Sequence, residues 1–210
     1  KIIGKKNSKS FLINIGAQIG STCIPAIKNN YFKNLIAFEP AKKTFRLLKA
    51  NIFLNGIEDR TKIYNLALSN KKTNLHLGER IESNIGSSRI LSKKQKNSEI
   101  VKSDILDNYT NGLNRNNSLI FMDAEGHEPY ILLGAKKTLK KRIPIVFEFA
   151  PKILDKHWLK NLSIVFKNYN FFYDLQSQSL KKEKFNKKTL VALFNKLNTK
   201  EEIYTDLMII

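Results

Sequence analysis

The sequence predicts a doubly wound α/β domain built on a mostly parallel sheet. Short apolar segments alternate along the chain with amphipathic, lysine-rich segments. Strands that alternate with helices pair in parallel through right-handed crossovers. The first apolar segment, residues 11–15, also ends in a glycine turn at 16–20. Because such sheets bind ligands at the carboxyl ends of their strands, functional residues are expected directly after each predicted strand.

The first half of the chain contains three predicted strands and two predicted helices. In order, these are strand 11–15, helix 21–29, strand 35–38, helix 42–54 and strand 61–68. In the second helix Phe45, Leu48 and Ile52 recur at helical spacing, which indicates one buried face. Asn55 and Gly56 then provide a stop signal.

The second half begins with a stretch that interrupts this alternation. Residues 74–101 are rich in Ser, Asn, Gly and Lys, with short β-like pieces at 75–77 and 99–102. We expect an excursion beside the ligand-binding edge, so residues 1–210 form a single domain. The remaining predicted elements are strand 118–122, helix 130–139, strand 143–149, helix 159–167, strand 171–175, a basic helical segment and a last strand at 206–210.

Length and composition set the broad class. The chain has 210 residues, of which 42% are hydrophobic, typical of one globular domain. No apolar run approaches the roughly 18–20 residues that span a bilayer, and no signal peptide is evident. Cys23 is the single cysteine, which excludes an internal disulfide and favours a reducing, cytoplasmic location. Lys1 in place of an initiator Met suggests a piece of a longer chain.

The chain is strongly basic, with a formal net charge of +19. A basic surface attracts nucleic acid, anionic lipid or a phosphorylated substrate. The alternative is codon bias in an AT-rich genome, since Lys, Asn and Ile are abundant together and the lysines are scattered. Both interpretations stay open.

The glycine turn is the first candidate binding site. Three residues separate Gly16 from Gly20, unlike the G-x-G-x-x-G fingerprint of dinucleotide-binding proteins. A wider turn suits a ligand without phosphates at that point, such as the amino-acid end of S-adenosylmethionine (SAM). A plain strand–helix turn is the alternative.

Glu39 is the second candidate, at the end of the second strand and about twenty residues after the glycines. A carboxylate there can accept two hydrogen bonds from a ribose diol. It repels a 2′-phosphate, which disfavours NADP. The alternative is a solvated Glu beside Pro40.

The segment after the fourth strand concentrates ionisable groups. It contains Asp123, Glu125, His127 and Glu128 within six positions. Asp123 could orient the substrate or the methionine amine, and His127 or a carboxylate could remove a hydroxyl proton during methyl transfer. In the alternative interpretation Glu125 and His127 brace the loop, and Glu128 is a favourable charge at a helix N-terminus.

Glu148 lies between two aromatic residues at the end of the fifth strand. A carboxylate is costly to bury there without a partner. It could bind substrate, act as a base or join Asp123 around a divalent cation; a buried pair with Lys or Arg is the alternative. No residue is assigned as a metal ligand. Cys23 lies in an apolar helical stretch and is expected to be a buried structural thiol.

Several of these segments resemble the FkbM-type SAM-dependent methyltransferases. The most specific, 122–128 followed by Leu133-Gly134-Ala135, resembles the D-V-E-G-H-E…L-x-G-A signature, and 11–21 resembles the F-x-D-I-G-A-N-x-G-S/T loop. Further similar segments are 37–40, 47–56, 65–69 and 84–89.

The resemblance implies a class I, Rossmann-like methyltransferase fold with seven strands, the last of them, 206–210, antiparallel. It also implies SAM as the cofactor and O-methylation of a hydroxyl, on a sugar, a glycan or a small natural product. The cofactor-binding residues are then Asn14, Gly16, Ala17, Gln18, Gly20, Ser21, Glu39, Pro40, Ala67 and Asp123. The catalytic residues are Asp123, His127 and Glu148.

Two residues depart from the family loop, since Asn14 and Gln18 replace Asp and Asn. An acid at position 14 would help to hold the SAM ammonium. Losing one charge-assisted contact costs about 1.5–3 kcal/mol, against roughly 8 kcal/mol for micromolar binding. Either Asp123 substitutes or cofactor binding is weak.

Three rival functions follow from the same residues. The net charge of +19 suggests a methyltransferase acting on RNA, although no stacking platform of aromatic residues is evident. Asn14 suggests a SAM-fold binding module that has lost catalysis. A nicotinamide oxidoreductase is the third rival, and the glycine spacing opposes it.

Overall fold

A computed structural model describes residues 9–79, 88–155, 157–199 and 204–210. The strands are β1 (Lys9–Ile15), β2 (Phe32–Phe38), β3 (Thr61–Tyr64), β4 (Ala67–Leu68), β5 (Thr73–Glu79), β6 (Ser88–Leu91), β7 (Glu99–Asp104), β8 (Ser118–Met122), β9 (Ile145–Phe149), β10 (Phe171–Asp174), β11 (Lys182–Lys184) and β12 (Thr205–Ile209). The helices are α1 (Cys23–Lys28), α2 (Lys42–Leu54), α3 (Glu128–Gly134), α4 (Lys136–Lys140), α5 (Trp158–Leu162) and α6 (Lys187–Asn198). Short 3-10 turns lie at Glu58–Arg60, Leu106–Tyr109 and Val165–Lys167.

The main sheet confirms the predicted fold class. Its strand order is β11-β10-β12-β9-β8-β1-β2-β3. β1 pairs in parallel with β2 and β8, and β8 pairs in parallel with β9. The last strand, β12, runs antiparallel to both β9 and β10. Among the described residues the sheet has one strand more than the seven predicted, β11 at its edge. β11 lies in the basic segment that was expected to be helical, and only the later part of this segment forms a helix, α6.

Both faces of the main sheet are buried, as a parallel sheet requires. Ile13 and Ile120 belong to the core on one face, with Leu132 of α3. On the other face Leu12 packs in the core that includes Leu48 of α2. The helix predicted at 42–54 forms with those bounds, and its Leu48 and Ile52 are buried.

A second sheet of the order β4-β7-β5-β6 accounts for the predicted excursion. The single strand predicted over 61–68 is wrong, because the chain leaves the main sheet after β3 and continues into the second sheet as β4. The Asn65 side chain holds this corner by donating to the carbonyls of Glu39 and Pro40 at 2.9 and 3.0 Å. Residues 84–87 of the segment 84–89, quoted above for its family resemblance, lie outside the described residues.

The helix predicted over 130–139 is divided into α3 and α4. At the division, a Cβ on Gly134 would lie 2.3 Å from the Ser69 carbonyl oxygen, so the two backbones are in close approach. The Asp107 carboxylate then accepts hydrogen bonds from the backbone N–H groups of Lys137 and Thr138 at 2.9 and 2.7 Å, which starts α4 anew.

Two other predicted helices are shorter in the structure. The helix expected at 159–167 consists of α5 and a 3-10 turn, and the one expected at 21–29 forms only as α1. Within the described part of the chain, no helix combines the length and the apolar character needed to cross a membrane.

Candidate active site

The carboxyl ends of β1, β2 and β8 meet at one edge of the main sheet and form a cleft, here called the cofactor cleft. Gly16 and Gln18 follow β1, Glu39 follows β2 and Asp123 follows β8, and all four line it. Ala67 of β4 also lines it. Neighbouring parallel strands end at the same edge, which brings together residues more than one hundred positions apart in the sequence.

Glu39 connects the glycine turn to the end of β2. Its carboxylate accepts hydrogen bonds from the backbone N–H groups of Gln18 and Ala41, each at 2.9 Å. Each oxygen uses one lone pair in this way and keeps a second one for a ligand. Burial raises the pKa of Glu39 to about 7, although the two N–H donors favour its charged form.

The wall of the cofactor cleft is apolar and comes largely from residues that were not predicted. These are Phe38, Leu66, Leu68, Leu77, Ile90 and Ile131. Leu77 and Ile90 belong to the second sheet. No local signal marks Leu77 and Ile90 in the sequence, because their role depends on how the second sheet packs beside the main one.

Three carboxyl groups converge behind the cleft. Asp123, Glu128 and Glu148 each offer an oxygen within 4.8 Å of the others, a set that could hold a metal ion. Burial, with a smaller contribution from neighbouring carboxylates, raises the pKa of Glu128 to about 8 and that of Asp123 to about 6. Glu128 also accepts a hydrogen bond from the Ala124 N–H at 2.6 Å. At neutral pH this pKa favours the protonated form of Glu128. Glu128 does begin α3, as the alternative interpretation of the sequence expected, but it does not supply a negative charge there.

His127 lies where the cofactor cleft meets a second cleft. Its Nε2 is 3.0 Å from the Ser69 hydroxyl oxygen, and its ring stacks on Tyr130 with centroids 5.1 Å apart. The Tyr130 hydroxyl donates to the Asp155 carboxylate. Burial lowers the pKa of His127 to about 4. The ring is thus held in place and is neutral at physiological pH.

This environment predicts the titration of His127. Between about pH 5 and 8 the imidazole should stay neutral, because burial disfavours the charged form. Nitrogen-detected NMR of the ring measures this directly, and a His127→Gln variant assigns the signals. A midpoint between about pH 6 and 7, the range of an exposed imidazole, would contradict the buried, hydrogen-bonded placement.

The structure brings together only some of the predicted site residues. Those that line the cofactor cleft are Gly16, Gln18, Glu39, Pro40, Ala67, Asp123 and His127. Those that do not line it are Asn14, Ala17, Gly20, Ser21 and Glu148. For this second group a direct contact with a ligand stays a prediction.

Asn14 is buried at 1% exposure. Neither polar atom of its side chain has a hydrogen-bond partner among the described residues.

Cys23 is fully buried as expected, and burial raises the pKa of its thiol to about 11, which makes it unreactive.

The second cleft, here called the outer cleft, shares Ile90, Glu125 and His127 with the cofactor cleft. Its remaining walls include the Ser69 turn, β6 and Tyr130. Two ligands, one bound in each cleft, would therefore meet at His127.

Comparison with solved structures found similar folds at low sequence identity. A methyltransferase FkbM from Methylobacillus flagellatus KT has a TM-score of 0.57 and 13% identity, over 97% of this chain and 44% of that one. A conserved hypothetical protein from Streptococcus pyogenes has a TM-score of 0.48 and 11% identity, over 99% of this chain and 90% of that one. The first likeness supports the fold, and this chain spans less than half the length of that protein.

A precorrin-6y C5,15-methyltransferase from Geobacter metallireducens GS-15 has a TM-score of 0.45 and 12% identity, over 96% of this chain and 80% of that one. A comparison with curated protein sequences found no significant match. The family model described as the methyltransferase FkbM domain matches residues 14–173, about three quarters of the chain. This match covers the glycine turn, Glu39 and the segment from Asp123 to Glu128, and the chain therefore belongs to the FkbM methyltransferase family.

Proposed function

We propose that this protein transfers a methyl group from SAM to a hydroxyl oxygen of a sugar, a glycan or a small natural product. The observation that carries the proposal is the convergence of the Gly16 turn, Glu39 and Asp123 on one cleft. The family of the chain supports methyl transfer. The proposal adds the cofactor, the oxygen acceptor and the roles of individual residues.

The residues of the cofactor cleft fit SAM in shape and charge. Glu39 has free lone pairs for a ribose diol, and Phe38, Leu66 and Leu68 offer an apolar wall to adenine. Glu39, Asp123 and Glu125 supply the carboxyl groups of the lining, and none of its residues in the described part of the chain is Lys or Arg. Such a lining suits a cationic ligand. When bound, SAM supplies a methyl group activated by its sulfonium charge.

The chain's own residues align the acceptor and take its proton. With Nε2–H donated to Ser69, the ring of His127 leaves Nδ1 to accept the hydroxyl proton. A base whose pKa is about 4 is weak, and the Asp123 carboxylate, with a pKa of about 6, is a stronger one in the same cleft. We therefore assign most of the rate enhancement to alignment, which can supply about 7–11 kcal/mol.

Two alternative functions are each supported by a specific observation. The Asn14 amide lacks the charge of the acid that the family loop has at this position, which favours a SAM-binding module without turnover. The net charge of +19 favours an RNA acceptor, whose binding would weaken steeply with salt.

Calorimetric titration of SAM tests the cofactor assignment. We expect micromolar binding by the native chain and at least about tenfold weaker binding by Glu39→Ala, since a ribose contact to a carboxylate contributes about 1.5–3 kcal/mol. Glu39→Gln keeps the size of the side chain and should also weaken binding, because its NH2 group replaces one of the two accepting oxygens and cannot accept the hydrogen bond from the Gln18 or the Ala41 N–H.

Glu58→Ala is the matched control, because Glu58 is exposed on a 3-10 turn outside the cleft. Thermal unfolding of each variant separates loss of the ligand contact from loss of the fold. Equal SAM affinity in the native protein and a folded Glu39→Ala variant would remove the ribose role. Absence of SAM binding by the native chain would overturn the proposed function.

A further inference from the structure

Charge is distributed unevenly between the two clefts. The lining of the outer cleft includes Lys71, Arg89 and Lys93, whereas the described lining of the cofactor cleft includes no Lys or Arg. The difference suits ligands of opposite sign, a cationic one in the cofactor cleft and an anionic one beside it.

The three basic residues of the outer cleft are available to a ligand. Among the described residues, none of them forms an ion pair, since the only pair there joins Lys42 to Glu99. The Asp155 carboxylate, which also lines the outer cleft, accepts hydrogen bonds from the Tyr130 hydroxyl and the His157 N–H. Asp155 and Glu125 are the two acidic residues of the described lining, against three basic ones, so the excess charge is positive.

The backbone beneath these cations is well anchored. The Lys71 carbonyl accepts a hydrogen bond from the Ser103 hydroxyl at 3.0 Å, which ties its turn to β7. Arg89 lies in β6, paired opposite Gly78 of β5, and Lys93 follows that strand. Anchored positions lose less conformational entropy when a ligand binds.

We propose that the outer cleft binds an acceptor that carries an anionic group of phosphate size. Lys71, Arg89 and Lys93 hold this group, and the acceptor's hydroxyl lies near His127, which lines both clefts. Arg89 suits such a group because a guanidinium binds phosphate oxygens in pairs. The inference rests on the proposed function for its orientation, but anion binding can be tested without SAM.

The test is calorimetric titration of inorganic pyrophosphate into the full chain. We compare the triple variant Lys71→Gln/Arg89→Gln/Lys93→Gln with a control, Lys49→Gln/Lys140→Gln/Lys160→Gln, whose residues are exposed on α2, α4 and α5. Both variants lose three positive charges, so any effect of net charge is the same. We expect the first to weaken pyrophosphate binding by at least about tenfold and the control by less than about twofold.

Three results would overturn the proposal. The first is that the native chain does not bind pyrophosphate, and the second is that both variants weaken pyrophosphate binding equally. The third is that a single-stranded RNA oligonucleotide binds with steep salt dependence and that both variants weaken its binding equally. The last result would assign the basic surface to RNA. SAM titration of the same variants should match the native chain, so failure of anion binding is distinguishable from failure of the cofactor assignment.

Discussion

Replacing Gly16 by Ala should lower the free energy of unfolding by about 4 kcal/mol or more. A Cβ on Gly16 would lie 1.8 Å from the Asp123 carbonyl oxygen. The contact is between two backbones, those following β1 and β8, so no side chain can move aside. The positive φ of +75° adds a conformational cost of about 1–2 kcal/mol for any residue with a Cβ. Chemical denaturation measures the total effect.

Gly112 provides a matched control for this prediction. Its φ is +73°, nearly the same as that of Gly16, and an added Cβ would meet nothing within 4 Å. Gly112→Ala should therefore cost only the conformational part, about 1–2 kcal/mol. The difference between the two variants isolates the close approach of the β1 and β8 ends. Equal destabilisation would show that the Gly16 turn and the Asp123 backbone are not in contact.

The second large effect concerns Glu128. Glu128→Gln should become progressively more stable than the native protein as the pH rises from about 5 to 8. The ordinary pKa of 4.5 is raised to about 8 by burial, so over this range the unfolded chain is ionised while the folded chain holds a proton. The contribution of Glu128 to native stability then falls by about 1.4 kcal/mol for each pH unit, about 4 kcal/mol in all, and levels off above the folded pKa.

Glu128→Gln should not show this loss of stability, because the glutamine amide does not titrate in this pH range. Its side-chain oxygen can still accept from the Ala124 N–H, as that of Glu128 does. Denaturation curves over this pH range, with a chelator present, provide the measurement, since a bound cation would stabilise the charged form. Glu58→Gln, at an exposed position, should run parallel to the native protein. Parallel curves for Glu128→Gln as well would mean that its carboxyl group ionises freely in the folded state.

Local sequence signals located the main sheet and part of the site. The strand Ser118–Met122 and the helix Lys42–Leu54 form with the predicted bounds. The glycine turn, Glu39 and Asp123 were expected at strand ends and do line the cofactor cleft. These features depend on residues that are near one another in the chain, where apolar periodicity and turn chemistry are informative.

Contacts between distant residues decided the rest. The corner at Asn65 depends on carbonyls about 25 positions away, and the break after Gly134 depends on the Ser69 backbone. The grouping of Glu128 with Asp123 and Glu148 requires the segment after β8 to pack against the end of β9. Packing of this kind overrides local propensity and leaves no periodic trace.

The sequence by itself determined the alternation of strands and helices, the family and the acids at the strand ends, because each is encoded in short stretches of chain. Only the tertiary structure decided that β4, β5, β6 and β7 form a second sheet that walls the site. It also decided that His127 is neutral and held by Ser69, and that the two clefts differ in charge. Burial and proximity set these properties, and both arise only when distant segments fold against each other.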